Sequence, residues 1–528
     1  MLRISEKANI NYLAIVSRIE KLEPIPNADK LCLTTLNGYR IIVPTTMKVG
    51  DIVIYFPLEC CISEKFLSSN NLYGISEYEK NFNEDEVKEL LDKSMLSSDA
   101  DEAKELMNEA KSKVGFFNKY GRVSILKLRG EYSCGFVIPA DSLENAYDGF
   151  YGYDWESAVG TQFDMVGDEK FCWKYIPKIK KRNSNESLNG SRNHRRNQKK
   201  MTSFDRIIPE YFSRHYETEQ LEKSITQLEP HDTVTISVKI HGSSGIFANI
   251  PCNRKLNWVE KIKNLVGFNI PTIEYGNVYS SRNVIKNQYI NKGVTGGFYG
   301  TDMWYPVNEM LKPFLEEGMT VYGEIVGYVY GTDQPIQKGH DYGCKVGEWK
   351  FMPYRITSTS IKSDKKFEWN VLEVDEWIRK IVKEHPELSD RIMFMEILYH
   401  GKLRDLYPDL DTEQHWHENI LSKMSTEKKW YMEEKEPLCH LYDAEIASKE
   451  LEIKVAERAG KNTKKLEKEL TKLKDAQAPR EGVVIRKDDD IFPRAWKLKT
   501  KAHYEREKKA HDEGEVDIEE MESLGEEI

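Results

Sequence analysis

The sequence predicts an α+β protein with two folded domains, a small N-terminal β-barrel and a larger domain in which strands alternate with helices. Short β-rich runs separated by turn signals fill the first 175 residues, and longer runs with helical stretches between them occupy 204–500. A basic segment, 176–203, separates the two regions. The 528 residues and the 39% hydrophobic content are sufficient for two to four domains with ordinary cores.

The first region carries the pattern of a small barrel. Its β-rich runs are 12–16, 30–36, 39–43, 51–56, 122–128 and 135–139. Turn signals such as Asn37-Gly38 separate these runs. Because five or six short strands of this kind typically close on themselves, we predict an OB-type barrel over 1–175. Helix-forming residues between the fourth and fifth runs predict a helical insertion at about 66–113.

The larger region mixes both periodicities. Its β-rich runs are 233–239, 276–281, 319–329, 349–356, 481–486 and 495–499. Helical patterns cover 374–385 and 442–476, and the second pattern breaks near Gly460, which predicts a helical hairpin. We therefore predict a mixed domain over 204–500 with a helical insertion at about 360–476.

The net charge is −10, but the charges are unevenly distributed. The stretch 178–200 contains nine Lys or Arg and one acidic residue, whereas 511–528 contains nine acidic residues and no Lys or Arg. Because blocks of like charge are usually solvated, we predict a flexible linker at 176–203 and a solubilising acidic tail at 501–528. An arm that contacts phosphates is the alternative for the basic linker.

The composition favours a cytoplasmic protein without a membrane anchor. The chain shows no secretory start, and no apolar run reaches the ~18 residues that a membrane span needs. The eight cysteines form no Cys-x-x-Cys pair and no Cys/His cluster, which argues against a zinc site and for a reducing compartment.

Lys239 is the most informative candidate site residue. It ends an alternating strand pattern and is followed by Ile240, His241, Gly242 and Ser243. A lysine amine at the end of a strand can act as a nucleophile when burial or neighbouring cations favour its neutral form. Glycine and serine in the following turn let the backbone approach a phosphate. A lysine on a solvated strand edge is the alternative interpretation of this residue alone.

Four later motifs supply the other groups that nucleotide chemistry needs. Arg282 follows a strand and can contact a phosphate or a ribose. Glu324 and Glu481 lie in or beside apolar strands, where a carboxylate is expected to have a partner such as Mg²⁺ or a ribose hydroxyl. Lys497 and Lys499 face one side of a strand, where two ammonium groups can hold an α-phosphate. Taken singly, each motif has an ordinary explanation as a strand-end charge, the polar face of an edge strand or a loop.

In this order, the five motifs resemble the signature of the covalent nucleotidyltransferase superfamily, which contains polynucleotide ligases and mRNA capping enzymes. The chain most resembles ATP-dependent RNA ligases that carry an N-terminal OB domain, and the segments 25–30, 48–51 and 122–139 resemble that OB domain. The resemblance implies an ATP-grasp-like, two-sheet adenylyltransferase domain over 204–500. DNA ligases and capping enzymes place their OB domain after the catalytic domain, so the domain order argues against both.

The resemblance also implies a role for each motif residue. Lys239 would carry the adenylate, and Glu481 and Glu324 would bind the metal. The implied nucleotide-binding residues are Lys239, Arg282, Glu324, Tyr354, Lys497 and Lys499, with Tyr354 stacking on adenine. Two positions depart from the family pattern. Tyr354-Arg355 stands where relatives usually have Phe-Asp, and His241 stands where many ligases have Asp.

The implied activity is ATP-dependent joining of 3′-OH and 5′-phosphate ends of RNA through a lysyl-adenylate, with Mg²⁺ or Mn²⁺ as the metal. The implied partner is nicked or broken RNA, in a duplex with RNA at least on the 3′-OH side. Arg122, Lys127 and Arg129 of the OB domain would contact its backbone. We expect a monomer. A DNA ligase, a capping-type guanylyltransferase and a non-catalytic nucleic-acid binder are the alternatives.

Overall fold

The computed structural model describes residues 1–176, 204–215, 217–290, 301–360, 363–410, 415–427, 435–487 and 494–514, without the side chains of 290 and 363–366. The chain forms two compact units. The first comprises Met1–Ile176 together with Glu219–Thr226, and the second comprises the remainder. The basic segment 178–200 and the last 14 residues of the predicted tail, 515–528, lie outside the described residues. None of the described helices combines the length and apolar content needed to cross a lipid bilayer.

Every strand of the first unit is short. The strands are Leu2–Arg3, Ala14–Arg18, Glu23–Pro24, Leu31–Leu36, Tyr39–Pro44, Ile52–Phe56, Cys60–Ile62, Leu126–Leu128, Glu131–Ser133, Phe136–Pro139, Gln162–Phe163, Met165–Val166, Glu169–Lys170, Cys172–Lys174 and Glu219–Gln220. The predicted Asn37-Gly38 turn joins two of them in a hairpin, and both turn residues have positive φ, as a tight two-residue turn requires.

The predicted closed barrel is wrong. Within residues 1–176, all of which the structure describes, the strands form separate sheets of two to four strands, and no ring of strands closes. The largest sheet contains, in order, Phe136–Pro139, Ile52–Phe56, Ala14–Arg18 and Gln162–Phe163. Many of the other strands are only two or three residues long, so they provide too few ladder hydrogen bonds to join neighbouring sheets.

Helices fill the stretch in which the sequence predicts an insertion into the first unit. They are Glu64–Ser69, the 3₁₀ segment Ile75–Lys80, Glu84–Leu96 and Ala100–Ser112. The last two pack against each other through Val87, Leu90 and Ala110, and Asp99 caps the second of them. The remaining helical segments of this unit are Ile10–Tyr12, Ala140–Asn145, Trp155–Ala158 and Leu221–Ser224.

Two antiparallel sheets form the framework of the second unit. The first contains, in order, Ile273–Ser281, Ser243–Asn253, Met319–Gly327, Trp349–Ser360 and Ser363–Glu368. The strands that this unit contributes to the second sheet are, in order, Ile397–Lys402, Thr233–Lys239, Gly482–Lys487 and Arg494–Lys499. A short pair is made by Phe204–Asp205 and Tyr289–Ile290. The predicted mixture of sheets and helices is therefore confirmed.

Lys239 lies where the chain passes from one sheet of the second unit to the other. Thr233–Lys239 belongs to the second sheet, and Ser243–Asn253, which begins only four residues later, belongs to the first. Gly242 lies in the connecting turn, where a Cβ atom would come 2.6 Å from the carbonyl oxygen of Ile325. Only glycine fits this close passage, so the turn keeps the end of the Lys239 strand against the first sheet.

Helices pack on the first sheet of the second unit and complete its main core. The buried core residues include Phe247, Trp304, Val307, Phe351, Val374 and Ile378. Two helices contribute to this core, Trp304–Leu311 and Val371–Glu384, and Asn370 and Glu373 form a capping box at the start of the second. The smaller helical segments of this unit are Trp258–Leu265, Lys312–Phe314 and Pro386–Leu388, and the 3₁₀ segment Ile225–Gln227 belongs to the first unit except for Gln227.

The region 360–476 is not the purely helical insertion that the sequence predicts. Its further α-helices are Leu403–Leu406, Trp416–Thr426, Asp443–Arg458 and Lys464–Ala476. The last two form the predicted helical hairpin, in which ion pairs join Lys449 to Glu469 and Lys474 to Glu450. However, Ser363–Glu368 extends the first sheet, and Ile397–Lys402 pairs with the Lys239 strand in the second. This region therefore supplies part of the framework.

The predicted acidic tail begins later than 501. Lys501–Asp512 is an α-helix, and Thr500 caps it by accepting a hydrogen bond from the backbone N–H of His503. His503, Tyr504 and His511 are buried. Acidic residues dominate only after this helix, so the earlier part of the predicted tail has the apolar and aromatic contacts that a solvated segment lacks.

Candidate active site

Five residues that the sequence predicts as site residues line one pocket of the second unit. They are Lys239, Arg282, Glu324, Tyr354 and Lys497. Each is supplied by a different strand or by the residue that directly follows one. Apolar residues complete part of the lining, namely Ile240, Val371, Met395 and Val484. The pocket therefore combines cations suited to phosphates with an aromatic ring and apolar side chains suited to a base.

The strand register brings Lys239 to Glu481. Lys239 is opposite Gly482 in the antiparallel ladder, so the residue before Gly482 lies next to the end of the Lys239 strand. Lys239 Nζ is 2.9 Å from Glu481 Oε1, and the lysine side chain is 23% exposed, whereas that of Glu481 is only 4% exposed. The lysine side chain is therefore partly accessible to solvent, whereas the Glu481 carboxylate is buried.

Glu481 is surrounded by positively charged or protonatable groups. Lys499 Nζ lies 3.5 Å from Oε1, His503 Nε2 lies 3.7 Å from the same oxygen, and His241 Nδ1 lies 3.4 Å from Oε2. Burial alone would raise the pKa of Glu481. The charges of Lys239, Lys499 and His503, together with the contact to His241, hold this pKa well below its usual value. The group is therefore a carboxylate at neutral pH.

Lys497 and Lys499 face the same side of the strand Arg494–Lys499, but they have different partners. Lys497 Nζ is 2.9 Å from Glu217 Oε1, and Lys499 contacts Glu481. Burial lowers the pKa of Lys497, and the charges of Lys499 and Lys239 lower it further, while Glu217 opposes them. Lys239, Lys497 and Lys499 therefore lie close enough to influence one another, and Lys497 and Lys499 can stabilise negative charge on a phosphoryl group.

Glu217 is a site residue that the sequence analysis missed. Its Oε2 lies 2.5 Å from Arg282 Nη2, so its carboxylate bridges Arg282 and Lys497 inside the pocket. Glu217 follows the short strand Phe204–Asp205 by twelve residues, and the described residues between them belong to no helix or strand. A carboxylate between two cations that are predicted to bind phosphate occupies a position suited to an anion.

A group of histidines lies beside the nucleophile candidate and was also missed. The ring of His241 is 4.8 Å from that of His340 and 5.0 Å from that of His503, centroid to centroid. Burial lowers the pKa of His503 to about 3 and that of His340 well below its usual value. The backbone N–H of His241 donates a hydrogen bond to the hydroxyl of Tyr342. His503 comes from the helix that the sequence analysis assigned to the tail.

Arg355, which follows the predicted stacking residue Tyr354, is part of a buried charge cluster. Arg355 Nη2 is 2.8 Å from Glu368 Oε2, and Arg486 Nη2 is 2.8 Å from Glu368 Oε1. Arg486 also donates a hydrogen bond to the carbonyl of Tyr354. Both arginines line the pocket. Because Arg486 is held by Glu368 and bonds to the Tyr354 carbonyl, this Arg–Glu–Arg group fixes the backbone of the predicted stacking residue.

The predicted nucleic-acid contacts of the first unit need one correction. Arg122 is buried and makes a two-pronged ion pair with Glu59, with bonds of 2.9 and 2.8 Å, so it is not a surface contact. Lys127 and Arg129 are exposed. Lys127 lies over the ring of Tyr132, and Arg129 is in the turn of a short hairpin with a φ of 53°. No pattern around Arg122 indicated that Glu59, 63 residues earlier, would lie opposite it.

No protein-family model matches the chain, and no curated protein matches it in sequence. Three solved structures of an RNA ligase from Naegleria gruberi are similar to it. A mutant with ATP and Mn is 16% identical, covers 94% of this chain and 99% of that chain, and has a TM-score of 0.47. A mutant with AMP and Mn is 15% identical, with coverages of 94% and 99% and a TM-score of 0.47. The ligase with PPi is 16% identical, with coverages of 95% and 100% and a TM-score of 0.46. Over nearly its whole length, the chain is similar to structures of this RNA ligase.

Proposed function

We propose that this protein is an ATP-dependent RNA ligase that acts through a lysyl-adenylate, with Lys239 as the nucleophile. The observation that carries the proposal is the pocket itself. Five residues chosen from the sequence alone, Lys239, Arg282, Glu324, Tyr354 and Lys497, line it together. These residues supply the amine, the phosphate-binding cations, the carboxylate and the stacking ring that nucleotidyl transfer needs.

In the proposed first step, the Lys239 amine, after losing a proton to solvent, attacks the α-phosphorus of ATP. The P–N bond forms as the P–O bond to pyrophosphate breaks, pyrophosphate leaves, and a second proton passes from the nitrogen to solvent. Negative charge on the phosphoryl oxygens is stabilised by Lys497 and Arg282, which exchange Glu217 for the phosphate. Tyr354 provides the aromatic face for the adenine, and the apolar lining excludes water around it.

The next two steps move the adenylate and join the ends. The 5′-phosphate of the RNA attacks the phosphorus bound to Lys239, so the P–N bond breaks and a 5′–5′ pyrophosphate link to AMP forms. The 3′-OH then attacks the 5′-phosphate, loses its proton, and releases AMP as the phosphodiester forms. The lysine thus divides one difficult condensation into easier transfers.

A divalent cation fits the residues present. Oε2 of Glu481 is buried, and the geometry of its 3.4 Å contact to His241 Nδ1 is not that of a hydrogen bond, so a lone pair of this oxygen is available to a cation. Glu324 lines the pocket and offers a second carboxylate. When bound, Mg²⁺ or Mn²⁺ would offset negative charge on the phosphates. Glu481 and Glu324 would hold the cation, and the lysines and Arg282 would orient the phosphates.

For the RNA, we propose nicked duplex with RNA on the 3′-OH side, gripped in part by the first unit. Lys127 and Arg129, both exposed, are the proposed contacts to its phosphates. We propose that the protein acts as a monomer.

Self-labelling tests this function. The full-length protein is incubated with ATP or GTP labelled at the α-phosphate, in the presence of Mg²⁺ or Mn²⁺, and examined by denaturing electrophoresis. We expect label from ATP in the natural protein and none in Lys239→Ala. Label from GTP alone would indicate a guanylyltransferase, and no label from either nucleotide would indicate a non-catalytic binder.

Substrate choice is tested with nicked duplexes that differ only in RNA or DNA on the 3′-OH side of the nick. We expect sealing when that side is RNA and little when it is DNA. Equal sealing of an all-DNA nick would contradict the assignment to RNA, even if Lys239 becomes labelled.

A further inference from the structure

Three side chains from separate parts of the chain converge behind Lys239. His241 follows the nucleophile strand, Glu481 precedes the strand Gly482–Lys487, and His503 lies in the C-terminal helix. One ligand atom from each of the three lies within 4.8 Å of the other two. Two imidazole nitrogens and one carboxylate oxygen form a donor set typical of first-row transition metals.

The chemistry of these donors differs from that of an oxygen-only site. Mg²⁺ prefers oxygen ligands and retains several of its waters, whereas imidazole suits transition metals such as Zn²⁺, and the affinity of a mixed nitrogen and oxygen site rises from Mn²⁺ to Co²⁺. Glu481 and His503 are both 4% exposed, and His241 is 24% exposed. The two histidines therefore present nitrogen atoms to a carboxylate from which bulk water is largely excluded.

The distances allow direct ligation after a small movement. Metal–nitrogen bonds of about 2.0–2.1 Å place two ligand atoms of one ion at most about 4.2 Å apart. That limit holds for ligands on opposite sides of the ion, so donor atoms 4.8 Å apart have to approach by at least roughly half an ångström. His241 is the most exposed of the three side chains.

Electrostatics decides between a metal site and a simple charge network. Lys239 and Lys499 lie near Oε1 of Glu481 and oppose a cation there. Oε2 faces His241 and receives no hydrogen bond from the described residues. A second carboxylate, Glu507, is 25% exposed and lies 4.0 Å from His503 Nε2 and 3.7 Å from Lys499 Nζ, so it offsets part of the positive charge beside Oε1. A cation at Oε2 is thus favoured over one at Oε1.

We propose that His241, Glu481 and His503 bind a transition-metal ion directly, and that this site selects Mn²⁺, Co²⁺ or Zn²⁺ over Mg²⁺. The metal preference would be set by the two histidines, one of which stands where many ligases have an aspartate. The catalytic meaning of the site rests on the proposed function, but its occupancy can be measured without nucleotide or RNA.

Titration with Co²⁺ tests the site. Full-length, nucleotide-free protein is titrated with CoCl₂, and the visible ligand-field absorption is recorded, since nitrogen ligation intensifies it relative to aqueous Co²⁺. We expect one ion per chain and no displacement by a ~100-fold excess of Mg²⁺. In His241→Ala and His503→Ala, we expect binding to weaken at least ~10-fold. His440→Ala, which removes a histidine with a 61% exposed side chain, is the matched control and should bind like the natural protein.

The outcomes separate this inference from the proposed function. Because His503 is buried, circular dichroism confirms that each variant is folded, and His241→Ala serves alone if His503→Ala is not. Absence of a ligand-field band, free exchange with Mg²⁺, or unchanged binding in His241→Ala would overturn the metal site. Each of these results can occur while Lys239 is still labelled by ATP. Conversely, metal binding without labelling of Lys239 would support the metal site and contradict the proposed ligase function.

Discussion

Glu217→Gln is expected to tighten the binding of ATP. In the nucleotide-free protein, the Glu217 carboxylate holds both Arg282 and Lys497, at 2.5 and 2.9 Å. A phosphate that binds these cations has to displace it. The neutral glutamine keeps the size of the side chain but removes its charge, so the two cations become available to the nucleotide.

The magnitude follows from the exposure of the two ion pairs. The Glu217 side chain is 31% exposed, that of Arg282 is 27% exposed, and that of Lys497 is 10% exposed. Partly exposed pairs of this kind contribute about 1 kcal/mol each. Release of both therefore corresponds to about 2 kcal/mol, or roughly 30-fold tighter binding of ATP.

Calorimetric titration of ATP with Mg²⁺ measures this effect. The comparison is made between Lys239→Ala and Lys239→Ala/Glu217→Gln, since neither can form the adenylate and binding is therefore separated from chemistry. Glu210→Gln in the same background removes an exposed carboxylate of the same segment and should leave affinity unchanged. Equal or weaker binding by the Glu217 variant would refute the idea that this carboxylate competes with phosphate.

Four further changes test the site and the fold. Lys497→Ala should reduce labelling of Lys239 by ATP at least ~100-fold, because an oxyanion-stabilising group is lost, and a gel assay with time points measures it. Gly242→Ala should lose both labelling and thermal stability, since its Cβ would meet a backbone oxygen at 2.6 Å; calorimetry that shows an unchanged melting temperature would contradict this. Glu59→Ala should lower the free energy of unfolding by about 3–5 kcal/mol, because it removes the carboxylate that compensates the buried charge of Arg122. Replacing both residues by apolar ones should restore much of this free energy in urea titrations. The pKa of Glu481 is lower in the folded state than in the unfolded state, so the unfolded state takes up the proton first on acidification. The stability that Glu481 contributes is thus present above about pH 5 and is lost as the pH falls toward the folded-state pKa. In urea titrations, the free energy of unfolding of Glu481→Gln should therefore decline less steeply over that pH range than that of the natural protein.

Local pattern was sufficient to predict the strands that carry the chemistry. Thr233–Lys239 and Arg494–Lys499 alternate in sequence, and both are strands of one sheet. The end of the first strand and the alternation of the second place Lys239 and Lys497 in the pocket. Such features depend on a few neighbouring residues, which is why periodicity reveals them.

Long-range pairing was beyond the reach of local pattern. The strand Ile397–Lys402 lies in a charged region whose composition favours helix, yet it pairs with the Lys239 strand. The first region has the alternation of a barrel, but its short strands form separate sheets. Whether a strand finds a partner depends on the whole packed chain, and this tertiary context overrides local propensity.

The sequence by itself determined the chemical types at the site: a lysine at the end of a strand, two lysines that alternate on another, and carboxylates in apolar strands. Only the tertiary structure decided which of these groups meet. It brought Glu217 to Lys497 across 280 residues, put His503 beside Glu481, and buried Arg122 against Glu59. The physical reason is that the residues around a charged side chain do not reveal which distant residue will pair with it. The ion pair forms only when folding removes both groups from water, and each charge then stabilises the other.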